Sequence, residues 1–150
     1  MHVVVELIAA RVVGDDVHFV MGGGDCPRKT DPEAVARAEV ARLFPELWLR
    51  RIVLHSTSWR FEDEHIVLSY LAYSDDFAVP DLPLMFPLSR MEELKEPPAV
   101  LAAHAIRHLA FLAREEPAKY EKKLRPDTMV ALLKASPELA GRHSLRGAAA

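Results

Sequence analysis

The sequence predicts a single α+β domain, and three observations carry that expectation. Two β-branched runs near the N-terminus flank a Gly-Asp-Asp turn; two more flank a polar connection in mid-chain; and a long alanine- and leucine-rich stretch without internal proline follows a proline-dense segment. With 150 residues, 50% of them hydrophobic and 27% charged, the chain has the length of one domain and enough apolar surface for a core. Its net charge of −3, with acids and bases intermixed, gives no electrostatic reason to expect a nucleic-acid partner. The single cysteine, Cys26, can form neither an internal disulfide nor a thiolate zinc cage, which points to a reducing cytoplasm. No basic n-region opens the chain and no apolar run reaches the length of about 18 residues that a membrane span needs, so neither a signal peptide nor a membrane partner is expected.

The elements follow in order. Val3 to Val13 and Val17 to Met21, joined by Gly14-Asp15-Asp16, read as a β-hairpin, with Glu6 and Arg11 interrupting the first run. Gly22-Gly23-Gly24 ends the second strand. Thr30-Asp31-Pro32-Glu33 then offers an N-cap, a first-turn proline and a glutamate at capping-box spacing. The helix it starts carries Ala36, Val40, Leu43, Phe44 and Leu47 on one stripe, with Pro45 marking its last turn. Ile52 to Trp59 and His65 to Tyr73 read as a second hairpin across Arg60-Phe61-Glu62-Asp63-Glu64. The prolines between Phe77 and Pro98 predict a long, partly apolar loop. Pro98 to Glu116 is the clearest helix, ended by Pro117, and two shorter helices are expected at Ala118 to Leu124 and Asp127 to Ala135. Residues 141–150 hold too few large apolar side chains to pack and read as a flexible tail.

A strand, a glycine-rich turn and a helix N-terminus together form an anion-binding arrangement, because free amides and the positive end of the helix dipole converge there. The P-loop spacing fails, since Arg28 stands where its second glycine belongs and Pro27 has no N–H; the dinucleotide-binding glycine pattern is also missing. The stretch from Gly23 to Val40, with its flanking β-runs and the long later helix, resembles the glycine turn and helix of Nudix hydrolases. In that family a glycine is followed, after five residues, by glutamate, and after seven more by arginine-glutamate, an apolar residue, any residue, two glutamates, any residue and glycine. Gly24 matches the first position, Glu39 the glutamate after the arginine and Val40 the apolar site, while Pro32, Glu33 and Ala36 are common inside that helix. Thr30, Ala38, Arg42, Leu43 and Pro45 depart from the pattern at the first glutamate, the arginine, the paired glutamates and the last glycine.

The resemblance implies a Nudix-like αβα sandwich with a mixed β-sheet, spanning residues 1–116, with residues 117–140 as a helical extension of the same domain. It also implies a metal role for Glu39, because the family's carboxylates hold magnesium against a diphosphate. A lone carboxylate is a poor octahedral cage, and Arg42 puts a cation where a ligand should be. The favoured expectation is therefore a Nudix-like protein with a degenerate catalytic motif. It would be non-hydrolytic or impaired and would bind a nucleotide-like or phosphorylated ligand, without a required cofactor, through Gly23, Gly24, Arg28, Lys29, Arg42 and Arg60. One alternative is an active hydrolase of a nucleoside-diphosphate-linked compound, using magnesium or manganese with Asp25, Asp31, Glu33 and Glu62 to Glu64 as substitute acids. Another is a structural or assembly module without a small ligand, for instance as a homodimer.

Other residue pairs favour ordinary packing. His104 and His108 can face one way from a helix, but no third metal ligand accompanies them. His55, Ser56 and Ser58 lack a third member for nucleophilic catalysis. Trp59, Arg60 and Phe61 could stack on a base beside the acidic turn, yet a hairpin end with a packed tryptophan explains them as well. Lys119, Lys122, Lys123 and Arg125 read as a solvated helical face.

Overall fold

A computed structural model of the chain describes residues 2–45 and 52–135. Strand β1 (His2–Val13) turns at Asp15's neighbour Gly14 into β2 (Asp16–Cys26); helix α1 (Pro32–Leu43) follows, then β3 (Val53–Glu62) and β4 (His65–Tyr73). A short β5 (Leu84–Pro87) lies within the proline-rich segment, ahead of α2 (Ala99–Glu115), α3 (Pro117–Tyr120) and α4 (Pro126–Ala135). The five strands form one mixed sheet in the order β3-β4-β1-β2-β5. β1 and β4 run parallel at its centre, from His2↔His65 to Ala10↔Tyr73, and every other pairing is antiparallel. The N-terminal and mid-chain hairpins thus meet in one sheet, with α1 on one face and α2 and α4 on the other.

Strand alternation builds both cores. Val5, Leu7 and Ala9 pack with Ala36 and Val40 of α1 and its C-cap Phe44, while Ile8, Ala10 and Val12 pack with Ile106, Leu109 and Leu132 of α2 and α4. A central parallel strand covered on both sides has to be apolar at both parities, and the Ile8-Ala9-Ala10 run meets that demand. Helix α1 begins where the capping signal lies: Asp31 is the N-cap and its carboxylate accepts from the Glu33 N–H at 3.0 Å. It ends at Leu43, before Pro45, with the Phe44 N–H returning to the Val40 carbonyl. Leu47 and the 141–150 tail lie outside the described residues.

Four elements differ from the sequence reading. Strand β2 does not end at the glycines but runs through them to Cys26, because its ladder with β1 continues to Val3↔Cys26. The helix expected at Ala118 to Leu124 spans only Pro117–Tyr120. The Arg60 to Glu64 connection shrinks to Asp63-Glu64, because the β3–β4 ladder continues to Glu62↔His65 and both turn residues adopt positive φ, 50° and 64°. That is the paired left-handed geometry that lets a two-residue turn match strand twist. The proline-rich stretch also contributes a strand: β5 pairs with β2 from Asp16↔Pro87 to Phe19↔Leu84 at the sheet edge, where Pro87 at the strand end forfeits little of the ladder. The rest of that stretch is irregular or 3₁₀ turns, at Val79–Asp81 and Leu88–Glu93. Beyond α2, Leu124, Met129 and Leu132 join its buried cluster. Buried Asp75 fastens α4, accepting from the Arg125 N–H and the Thr128 hydroxyl, each at 2.8 Å, and from Tyr73 Oη at 2.9 Å. Among the described residues no helix is long and apolar enough to cross a membrane.

Candidate functional site

A cavity of about 510 Å³ opens along the glycine run of β2, lined by Gly22, Gly23 and Gly24, by Glu39 and Arg42 of α1, and by Glu6, Arg60, Glu62, Asp63 and His65 of the neighbouring strands. Its two walls come from opposite sheet faces. Glu6 shares the parity of Ile8 and Ala10, whereas Glu39 approaches from α1, beyond Gly22, whose register partner Leu7 belongs to the α1-side core. They reach one pocket because β5 pairing stops at Phe19 and the exposed length of β2 beyond it carries no side chains at Gly22 to Gly24.

The three glycines are not equivalent. A Cβ on Gly22 would stand 2.8 Å from Glu39 Oε2, so the bare backbone lets the carboxylate approach. Gly23 combines φ 139° with a position whose Cβ would meet the Val5 carbonyl oxygen at 2.1 Å. Around Gly24 nothing lies within 4 Å of an added Cβ.

Glu39 is buried, and both its oxygens are engaged: Oε2 accepts from the Gly23 N–H and Oε1 from Arg42 Nε, each at 2.5 Å. The Arg42 bond, aided by the Gly23 amide, outweighs burial and holds the Glu39 pKa below the usual carboxylate range, while Arg42 is raised in turn. Arg42 itself remains 68% exposed.

On the other wall Arg60 has four of its five N–H donors engaged. Its Nη1 and Nη2 reach the two oxygens of Glu6 at 3.1 and 2.8 Å, its Nε donates to Glu62 at 2.7 Å, and Nη1 also approaches Ser69 Oγ at 3.4 Å. Ser69 in turn donates to Glu6 Oε1 at 2.8 Å. Burial alone would raise the Glu6 pKa, but these hydrogen bonds more than offset it and keep the carboxylate ionised. Hydrogen bonding to Glu6 likewise pushes the Arg60 guanidinium upward.

The structure brings Gly23, Gly24, Glu39, Arg42 and Arg60 together and leaves Arg28 and Lys29 out: both are exposed in the turn between β2 and α1 and do not line the cavity. The amide and helix-dipole arrangement is not realised there either. The pocket meets α1 at Glu39 and Arg42, near its C-terminal end, and the Gly23 N–H is already taken by Glu39. Of the substitute acids, Glu62 and Asp63 reach the cavity, whereas Asp25, Asp31, Glu33 and Glu64 do not line it. Arg42 sets a cation against Glu39, and among the described residues no group of three His, Cys, Asp or Glu side chains could hold a metal ion, so the donors present do not make a magnesium cage.

The sequence reading missed Glu6, Ser69 and His65 as pocket-associated residues. Glu6 did leave a signal: it is a charge inside an otherwise apolar strand. Trp59 and Phe61, stacked edge to face at 5.5 Å, alternate with Arg60 and so lie on the opposite face from the Glu6 wall. His55 and His108 pack between β3 and α2 with ring centroids 4.9 Å apart. Neither the protein-family models nor the curated proteins contain a match to this chain.

Proposed function

We propose that this chain is a Nudix-like domain in which the hydrolytic motif has become a set of internal ion pairs, and that its pocket binds a nucleotide-like or phosphorylated small ligand without hydrolysing it. The observation that carries this reading is the double engagement of Glu39 by the Gly23 amide and Arg42. Arg42 sets a positive charge against this carboxylate, which disfavours a divalent ion there, whereas its own exposed guanidinium, paired with one carboxylate among the described residues, is open to an incoming phosphate. The glycine edge beside it leaves room for that phosphate. Support for Nudix-like architecture comes from the helix-covered mixed sheet, its central parallel pair and the succession of the glycine-bearing strand β2 by α1. On this reading the described part of the C-terminal extension, residues 117–135, belongs to the same domain and the protein works in the cytoplasm.

Calorimetry with ADP-ribose, nucleotides and inorganic phosphate, with and without EDTA, tests the proposal. Binding should survive the chelator and weaken about tenfold in Arg42→Ala, the loss expected for one charge-assisted contact. A nucleoside-diphosphate panel with magnesium or manganese should show no turnover. Robust turnover that disappears in Glu39→Gln, or an affinity that is strictly magnesium-dependent and indifferent to Arg42→Ala, overturns it.

A further inference from the structure

We infer that Glu6, and not Arg60, is the ligand-contacting group on the sheet-side wall, where it accepts a hydroxyl or amine hydrogen from the non-anionic end of the ligand; Arg60 is a positioning residue. The inference rests on the binding reading above and names what the ligand must carry at its other end.

A guanidinium has five N–H hydrogens. Arg60 directs four hydrogen bonds into its own wall, to Glu6, Glu62 and Ser69, so little donor capacity is left for an anion. Its charge is also matched by two carboxylates at once. Arg42 differs: it is largely exposed and has one carboxylate partner among the described residues. The anionic end of a ligand therefore belongs at α1, and the opposite wall presents acceptors.

Glu6 is the best prepared of these. It is largely buried and ionised, and it is fixed by the Arg60 fork and the Ser69 hydroxyl, yet it lines the cavity. Oε1 accepts twice, whereas Oε2 accepts once among the described residues and keeps a lone pair. A ligand group with a hydrogen to give gains a charge-assisted bond there, and one without leaves a desolvated carboxylate facing it, which is the condition for strong discrimination.

The test compares three probes by calorimetry: inorganic phosphate, ribose 5-phosphate and n-butyl phosphate, which carries the same headgroup without hydroxyls. Wild type should bind ribose 5-phosphate about tenfold more tightly than butyl phosphate, consistent with one charge-assisted bond. In Glu6→Gln that ratio should fall to about two, while inorganic phosphate binds more tightly because Arg60 donors are released. Arg60→Lys, which keeps the charge and loses the fork, should lower the ratio with inorganic phosphate affinity unchanged. Ser69→Ala, which removes a single hydrogen bond, should lower it partway; melting temperatures and circular dichroism confirm folding, and this variant decides the matter if Glu6→Gln does not fold. Equal affinity for the two organic phosphates in wild type, or a ratio untouched by the folded variants, overturns the inference and leaves the binding reading intact. Failure of all three probes to bind rejects both.

Discussion

At the scale of single residues, three consecutive glycines carry unequal burdens. Gly23 has a left-handed-side φ and a carbonyl at 2.1 Å from any added Cβ, whereas Gly24 faces open space. Gly23→Ala should therefore cost about 3 kcal/mol or more, since the β1–β2 ladder itself must move, while Gly24→Ala should stay within about 0.5 kcal/mol. Urea denaturation of the two variants measures the difference, and equal costs would refute this assignment. The glycine run was legible in the sequence as a special backbone site, but its purpose was not. It reads there as a phosphate cradle, and in the structure it lets the Glu39 carboxylate and the Val5 carbonyl come close. Glu6 was visible as an interruption of an apolar strand; its partner Arg60 lies 54 positions away, a pairing that no local pattern encodes.

Secondary-structure elements show the same division. The Asp31 cap and Pro32 start α1 where local chemistry says they should, because capping hydrogen bonds join residues two or three apart. The β3–β4 turn was harder to read, since Asp63 and Glu64 carry no glycine or asparagine to announce left-handed geometry. Cross-strand pairing imposes it, and Glu64, at φ 64°, bears a steric cost that glycine would not. Glu64→Gly should accordingly raise stability by about 0.5–1 kcal/mol, net of the greater freedom glycine has in the unfolded chain. Thermal denaturation checks this, and a destabilised variant would show that the turn gains more from the glutamate side chain than the backbone loses.

Over the whole molecule, α2 closes one face of the sheet and brings His108 against His55 of β3, with His104 one turn away. Burial, reinforced by repulsion from those two histidines, pushes the His108 pKa down to about 4. The folded state then resists a proton that the unfolded chain accepts at an ordinary histidine value near 6.5. Stability should be full above that value and decline as pH falls from about 6.5 toward 4, by about 1 kcal/mol at pH 5, because the imidazole keeps partial solvent contact. Urea titrations at pH 7.5 and pH 5 in wild type and His108→Leu measure it. The slope between those pH values should flatten in the variant, and an unchanged slope would exclude His108 as its source.

By itself the sequence determined the α+β class, the two hairpins, the capped first helix and the long α2, because each depends on periodicity, capping or turn chemistry within a few residues. The structure decided the parallel β1–β4 pairing, the edge strand inside the proline-rich segment and the composition of the pocket. Those features depend on which distant segments become neighbours. Arg60 could be read as a free cation until Glu6 and Ser69 stood beside it, and Glu39 as a free carboxylate until the Gly23 amide and Arg42 bonded to it. Whether a charge is available for binding depends on its neighbours in space, and only tertiary structure supplies them.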